Sequence, residues 1–209
     1  MRFRDRADGG RHLAQRLAAY ADREDVLVLA LPRGGVPVGF EIARSLHAPL
    51  DVFLVRKLGV PGHAELAMGA IASGGVRVLS HDIIGQLGVS PDDIDAVTQR
   101  ERAELDRRDR MYRGDRPQTP LTGRTVILVD DGLATGATME AAILAVRQSS
   151  PARLIVAAPV GAADTCDRLR TIADDVVCAS TPEYFQAVGL WYERFDQTTD
   201  EEVMTLLHS

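Results

Sequence analysis

Cysteine and long apolar runs are scarce in this sequence. Its only cysteines among 209 residues are Cys166 and Cys178, too few for a disulfide framework or a cysteine-rich zinc site. No apolar run approaches the roughly 18 residues that a membrane-spanning helix needs. The charged start at Met1–Arg6 leads into no apolar segment of the kind that forms a secretory signal. We therefore expect a cytoplasmic protein with reduced thiols and no membrane partner.

Basic residues are outnumbered, and only one of them is lysine. The chain carries 24 lysine and arginine residues against 30 aspartate and glutamate residues, a net charge of −6, so we expect no nucleic-acid partner. The single lysine is Lys57, and asparagine is absent altogether. Both residues have AT-rich codons, so a GC-rich gene explains the scarcity. The lysine that remains is a candidate for a role that the larger, planar arginine side chain cannot fill.

The order of apolar and amphipathic segments predicts an α/β fold in a single domain over residues 1–209. Continuous apolar runs, typical of strands buried on both faces, alternate with segments of helical spacing. This alternation implies right-handed crossovers and a doubly wound, mostly parallel sheet. Strands are predicted at 26–31, 51–57, 125–129, 154–158 and 175–179. Helices are predicted at 8–22, 36–46, 135–148 and 162–172.

Residues from about 59 to 122 are predicted to form a hairpin-plus-helix insertion in that fold. A loop at 59–63 leads to segments 67–72 and 76–79, which flank a Ser-Gly-Gly turn in the pattern of a β-hairpin. Residues 91–112 form a highly charged helical segment. We expect this helix to be a solvated arm or a contact in a homodimer. Its arginines either form surface ion pairs or reach a neighbouring active site; they are Arg107, Arg108, Arg110 and Arg113.

The strongest signal is the segment 126–138, which reads VILVDDGLATGAT. An apolar strand ends in two acids, Asp130 and Asp131, and a loop of small residues then opens a helix. Loops at the carboxyl ends of strands form the ligand crevice of doubly wound sheets, and a helix N-terminus presents free N–H groups and partial positive charge to a phosphate. The acids can accept hydrogen bonds from vicinal hydroxyls and help hold a hydrated Mg²⁺. The segment therefore predicts a site for a ribose 5-phosphate.

In this segment the sequence resembles the signature of the type I phosphoribosyltransferases, which is four hydrophobic residues, two acids, a short linker and Thr-Gly-x-Thr. The resemblance implies that Asp130 and Asp131 are catalytic, hold the ribose hydroxyls of phosphoribosyl pyrophosphate and contact Mg²⁺ through water. It also implies that the 5-phosphate is bound by Ala134, Thr135, Gly136, Ala137 and Thr138. The sequence has no Walker A loop and no Gly-x-Gly-x-x-Gly dinucleotide motif.

Two further segments resemble parts of the same family. Residues 31–35, LPRGG, follow the first predicted strand, where the family has a loop whose amides bind pyrophosphate. The resemblance assigns this role to Arg33, Gly34 and Gly35, and it implies a cis peptide between Pro32 and Arg33. Residues 56–62, RKLGVPG, are similar to the start of the mobile loop in adenine phosphoribosyltransferases. Lys57 follows a predicted strand and precedes a loop with glycine and proline, so we expect it at the crevice edge, where it is catalytic and binds pyrophosphate. Because it is the only lysine of the chain, we also expect a narrow site that would exclude a guanidinium.

Aromatic residues, only 5% of the chain, cluster towards its C-terminal end. Residues 185–193 loosely resemble the region of hypoxanthine–guanine phosphoribosyltransferases that contacts the purine, where an acid follows the glycine by four positions. The resemblance implies that the acceptor is bound by Tyr184, Phe185, Trp191 and Glu193, with the aromatic rings stacking on a planar base. The alternative is that these rings pack in a core or a dimer interface.

Together the three segments imply Mg²⁺-dependent transfer of a 5-phosphoribosyl group from phosphoribosyl pyrophosphate to a small-molecule nitrogen acceptor, expected to be a nucleobase, with release of pyrophosphate. One rival is a non-catalytic regulatory protein of the same fold that only binds this ligand or a nucleotide. Regulators of this kind usually add a DNA-binding domain or a basic RNA face, and this acidic chain shows neither. A second rival is a hydrolase that uses the same pocket.

Overall fold

The computed structural model describes residues 1–209 and contains eight strands and seven α-helices. In chain order the elements are α1 (Arg6–Arg16), β1 (Val26–Ala30), α2 (Gly35–Leu46), β2 (Leu50–Val52), β3 (Val55–Val60), β4 (His63–Ala72), β5 (Val76–Leu79), α3 (His81–Leu87), α4 (Pro91–Arg113), β6 (Thr125–Val129), α5 (Ala137–Arg147), β7 (Arg153–Val160), α6 (Ala163–Leu169), β8 (Asp175–Ser180) and α7 (Asp200–Leu207).

Five of the strands form one parallel sheet in the order β2-β1-β6-β7-β8. Every residue of β1 and β6 is buried, which explains why both strands read as continuous apolar runs. From β1 the chain first moves outward to β2, and from β6 it moves outward in the opposite direction to β7 and β8. The strand order therefore reverses between β1 and β6, and a crevice is expected at their carboxyl ends.

Helices cover both faces of this sheet, which confirms the predicted doubly wound α/β class. On one face α1 and α2 contribute Leu13 and Ile42 to a buried core. On the other face α5 and α6 contribute Ile143 and Leu169 to a second core. None of the helices combines the length and the apolarity that crossing a bilayer requires.

Residues 51–57, predicted as one strand, are divided between two sheets. β2 is an edge strand beside β1, whereas β3 belongs to a separate antiparallel sheet of three strands in the order β3-β4-β5. The chain turns at Phe53 and Leu54, whose side chains are buried, so the apolar run continues through the turn and conceals it. The predicted hairpin is confirmed as β4 and β5. The loop predicted at 59–63 is shorter, a turn at Pro61 and Gly62.

Helix α4 is confirmed as a long element, and its last residue is anchored in the protein. The Arg113 guanidinium is buried, with Nη1 2.5 Å from Asp51 Oδ2 and Nη2 donating to the Val52 carbonyl at 3.1 Å. Arg113 is therefore not available to a neighbouring active site, which was one of the two roles expected for these arginines. Arg107 and Arg108 form ion pairs with Glu104, which was the other expected role.

Two helices, α3 and α7, were not predicted from the sequence. α7 begins at an N-cap, Thr199, whose side chain accepts a hydrogen bond from the Glu202 N–H at 3.1 Å, and acids occupy its first turn. Its buried Val203 joins Leu105 and Tyr112 of α4 and Leu58 of β3 in a third buried cluster. This cluster fixes the small sheet and α4 against the parallel sheet beside the crevice.

Candidate active site

The loop after β1 and the two acids after β6 lie against each other at the expected crevice. The Leu31 N–H donates to the Val129 carbonyl at 2.8 Å, which continues the pairing of the two strands into the loop. A Cβ atom on Gly35 would lie 2.6 Å from the Val129 carbonyl oxygen, and one on Gly34 would overlap the Asp131 carboxylate. Only glycines allow this approach. The Pro32–Arg33 peptide is cis, as the resemblance implied.

The adjacent acids differ in their surroundings. The Asp131 N–H donates to Asp130 Oδ1 at 2.8 Å, so the first acid turns back over the chain. Burial raises the pKa of Asp130 well above its usual value, and the negative charge of Asp131 raises it further. Asp131 instead forms an ion pair with an arginine. Of the two adjacent acids, Asp130 therefore favours its protonated form, whereas Asp131 is a carboxylate beside a positive charge.

The arginine that pairs with Asp131 is Arg6, which the sequence did not reveal as a site residue. Its Nε lies 2.8 Å from Asp131 Oδ2. The Tyr192 hydroxyl, also unpredicted here, donates to the Asp131 carbonyl at 2.6 Å. Arg6 is the first residue of α1, where the helix dipole disfavours a cation. That placement is a signal the sequence contained, but the helix was predicted to begin two residues later, at residue 8, so the signal was missed.

The predicted phosphate loop, residues 134–138, joins β6 to α5 and is held in place by α6. The Thr165 hydroxyl donates to the Ala134 carbonyl at 2.6 Å, and Arg168 Nη2 donates to the Thr135 carbonyl at 2.5 Å. Gly136 has a φ of 72° and caps α5, and a Cβ atom there would lie 2.5 Å from Thr165. Two carbonyls of the loop are therefore held by α6, which fixes the loop at the N-terminus of α5.

Arg33 faces residues 197–201, which lead into α7. Its side chain lines a cavity of about 340 Å³ with residues 197–201, and its Nη1 is 3.8 Å from Asp200 Oδ1. The Tyr112 hydroxyl donates to the same Asp200 oxygen at 2.5 Å. Burial raises the pKa of Tyr112 to about 12, and its hydrogen bond to Asp200 adds to this shift. Helices α4 and α7 therefore meet above the loop predicted to bind pyrophosphate.

Lys57 lies within β3, opposite Ala70, rather than in a loop after a strand. Its side chain is exposed, forms no ion pair or hydrogen bond within the chain, and lines a cavity of about 540 Å³. Ala137 and Glu140, in the first turn of α5, line the same cavity. The structure thus brings Lys57 to the helix that follows the phosphate loop, in a cavity that Arg33 does not line. Its catalytic role remains a prediction.

The residues predicted to bind the acceptor are not gathered in one pocket. Tyr184 is 81% exposed and Glu193 is also exposed, whereas Phe185 and Trp191 are half-buried against the core beneath α1 and α2. Trp191 Nε1 is buried without a hydrogen-bond partner. The structure therefore favours the alternative, packing in a core, for two of the four residues. Acceptor binding remains a prediction.

Asp130 and Asp131 are the only predicted metal-contacting residues, and no group of three or more His, Cys, Asp or Glu side chains is placed to hold a metal ion. Magnesium usually takes one or two carboxylates from a protein and completes its shell with water and substrate phosphates. Asp130 and Asp131 supply two adjacent carboxyl groups, and the loops at 31–35 and 134–138 are predicted to bind the phosphates. These groups match the usual protein contribution to a magnesium site. The site fits a magnesium ion that arrives with a phosphorylated ligand.

Comparison with known proteins identifies relatives of this chain by sequence and by fold. Residues 62–193 match the model of the phosphoribosyl transferase domain. Two relatives from Mycobacterium tuberculosis, strains H37Rv and CDC 1551, each bear the name "Putative phosphoribosyl transferase" and are 50% identical over 205 residues. They cover 98% of this chain, which spans 46% of their length. The crystal structure of TT1426 from Thermus thermophilus superposes with a TM-score of 0.90 at 45% identity, covering 99% of this chain and 98% of that one.

Proposed function

The chain belongs to the phosphoribosyl transferase family, and we propose that it transfers the 5-phosphoribosyl group of phosphoribosyl pyrophosphate to a nitrogen atom of a small acceptor, releasing pyrophosphate. The observation that carries this proposal is the position of Asp131. Its carboxylate lies against Gly34 of the loop after β1, and Asp131 itself stands three residues before the predicted phosphate loop, which begins at Ala134. A ligand with vicinal hydroxyls and a phosphate at each end matches that order of groups.

Each part of the site has a task in this reaction. Asp130 and Asp131 accept hydrogen bonds from the ribose hydroxyls and fix the sugar. The N–H groups at the start of α5 and the hydroxyls of Thr135 and Thr138 bind the 5-phosphate. The amides of Gly34 and Gly35, with Arg33, bind the pyrophosphate. The proposed contact of Lys57 with the pyrophosphate requires a rearrangement on ligand binding, because Lys57 lines a different cavity from Arg33. Catalysis then rests on orienting the reacting carbon and stabilising the charge that develops on the leaving group.

Magnesium is proposed as the cofactor, and Asp130 and Asp131 are the residues that would hold it, through water. When bound, it would neutralise charge on the leaving pyrophosphate. Burial and the charge of Asp131 raise the pKa of Asp130, and a bound cation would lower that pKa and favour the ionised carboxyl. The chain's own contribution is to hold the two acids at the edge of the sheet.

The proposed acceptor is a nucleobase, and the support for it comes from the resemblance of residues 185–193. The structure contributes one contact in this region: a Cβ atom on Gly132 would lie 2.5 Å from Val188 Cγ1. The C-terminal segment therefore packs directly on the loop that follows the two acids. An acceptor bound beside that segment would lie next to the proposed ribose site.

The proposal is tested by measuring pyrophosphate release from phosphoribosyl pyrophosphate and Mg²⁺ with a panel of purines, pyrimidines and orotate. We expect release with at least one base, and loss of release on chelation of Mg²⁺ and in the double variant Asp130→Asn, Asp131→Asn. Asp167→Asn is the matched control, because Asp167 is a surface acid on α6 that pairs with Arg170. Binding of the ligand without turnover with any base would indicate a regulatory protein, and no binding would contradict the proposal.

A further inference from the structure

Arg6 reaches Asp131 from a part of the chain 125 positions away. Its Nε donates to Oδ2 at 2.8 Å, and the side chains of Arg6 and Asp131 are 13% and 17% exposed. No N–H group of the chain donates to Oδ1 of Asp131, although the neighbouring Asp130 carboxyl, when protonated, hydrogen-bonds with the Asp131 carboxylate. The ion pair therefore occupies Oδ2 and leaves Oδ1 without an N–H donor.

The Arg6 side chain is itself fixed on two further sides. Its Nη1 donates to the Asp196 carbonyl at 2.6 Å, and its Cζ lies 3.9 Å from the centre of the Phe195 ring. Phe195 stacks on Tyr192 with ring centres 5.0 Å apart, and Tyr192 is the residue that donates to the Asp131 backbone. Carboxylate and backbone of Asp131 are thus held by one connected set of residues from both chain ends.

Helix stability does not account for this placement. Arg6 occupies the first turn of α1, where a cation opposes the helix dipole. Its neighbours Arg4 and Arg11 both pair with Asp8, within or beside the helix, as helix charges commonly do. A largely buried ion pair contributes little net stability against well-packed apolar residues. What Arg6 does contribute is a fixed position for one carboxylate.

We propose that Arg6 is a positioning residue for the ribose site, holding the Asp131 carboxylate so that Oδ1 faces the ribose hydroxyls. This inference rests on the function proposed above, since it assigns Asp131 to those hydroxyls. Arg6 itself acts through Asp131. The competing possibility is that Arg6 occupies the place of the ligand and must leave before it binds, and the experiment separates the two.

The experiment is a double-mutant cycle read by calorimetric titration with phosphoribosyl pyrophosphate and Mg²⁺. The variants are Arg6→Met, Arg6→Lys, Asp131→Asn and the double variant Arg6→Met, Asp131→Asn. Arg4→Met is the control, because Arg4 precedes α1 and pairs with Asp8 at the surface. Melting temperatures verify that each variant is folded, and Arg6→Lys keeps the charge if Arg6→Met does not fold.

We expect Arg6→Met to weaken binding about tenfold to a hundredfold, the effect of losing one charge-assisted hydrogen bond. Arg6→Lys should recover part of the loss, and Arg4→Met should bind like wild type. The double variant should bind no more weakly than Asp131→Asn alone. Wild-type affinity or tighter binding in Arg6→Met, or additive losses in the double variant, would overturn the inference. Absence of binding by the wild-type protein would instead refute the proposed function, and the inference with it.

Discussion

The carboxylate of Asp131 lies directly against the α-carbon of Gly34, so that a Cβ atom on Gly34 would overlap Oδ2 of Asp131. The same oxygen accepts the hydrogen bond from Arg6. The loop proposed to bind pyrophosphate and the acid proposed to bind ribose are therefore in contact without any ligand. Any change that enlarges residue 34 must act on the ribose site as well.

We expect Gly34→Ala to lower the affinity for phosphoribosyl pyrophosphate by about 1.5–3 kcal/mol, the range for a disturbed charged hydrogen bond, because the Asp131 carboxylate has to move. Gly85→Ala is the matched control, since a Cβ atom there meets nothing within 4 Å and alanine favours the helix by up to about 1 kcal/mol. Calorimetric titration measures both variants. Unchanged affinity in Gly34→Ala would show that Asp131 relaxes freely.

Substitutions of Lys57 test whether its positive charge or the shape of its side chain matters for the rate. If Lys57 stabilises the leaving pyrophosphate, Lys57→Ala should lower kcat about a hundredfold to a thousandfold. The sequence argument for a narrow site predicts that arginine fails as a substitute. The cavity of about 540 Å³ beside Lys57 has room for a guanidinium, so we now expect Lys57→Arg to retain most of the rate.

Steady-state rates of the two Lys57 variants, measured with whichever acceptor supports turnover, decide the matter. An inactive Lys57→Arg variant that is folded would restore the narrow-site argument. Full activity in Lys57→Ala would contradict a catalytic role for Lys57.

Thr165 is expected to matter for phosphate binding although it lies behind the loop. Its hydroxyl donates to the Ala134 carbonyl at 2.6 Å, so Thr165→Val frees that carbonyl and loosens the loop. We expect ribose 5-phosphate to bind about 1 kcal/mol more weakly. Thr122→Val is the control, because its hydroxyl donates to the Ser149 carbonyl at 3.0 Å on an exposed part of the chain outside α6 and the phosphate loop. Equal effects in both variants would mean that Thr165 does not act through the loop.

The raised pKa of Tyr112 predicts that the stability of the fold depends on pH in the alkaline range. Its pKa of about 12 in the fold lies above the ordinary value of 10.0, so the neutral phenol is favoured in the folded state. This contribution is complete below pH 10 and is lost as the pH rises towards 12. We expect Tyr112→Phe to lose about 1 kcal/mol of stability near neutral pH and to show a flatter pH dependence above the ordinary pKa of the phenol.

Denaturant unfolding at a series of pH values measures the effect of Tyr112. Tyr184→Phe is the control, since Tyr184 is 81% exposed and its hydroxyl makes no hydrogen bond within the chain. Parallel pH profiles for wild type and Tyr112→Phe would contradict the assignment.

The parts of the molecule that the sequence predicted correctly are those set by local rules. Residues buried on both faces of a parallel sheet must be apolar, and this rule located β1 and β6. The first N–H groups of a helix have no partner within the helix, so a loop before α5 was predicted from residues 126–138 alone, and its binding of a phosphate stays a prediction. The prediction of one strand at 51–57 was wrong. Phe53 and Leu54 are buried at the turn between the two sheets, and buried apolar residues at a turn cannot be distinguished by sequence from those of a continuous strand.

By itself, the sequence determined the α/β order, the two acids at the end of β6 and the glycines that follow β1, because each depends on neighbours a few residues away. The tertiary structure alone decided that Arg6 pairs with Asp131 and that Phe185 and Trp191 pack towards the core. It also placed Lys57 beside α5. These contacts join segments far apart in the chain, and no periodicity or spacing encodes which distant surface a side chain will meet. That choice is made when the sheets and helices pack and only certain partners come within hydrogen-bonding or van der Waals distance.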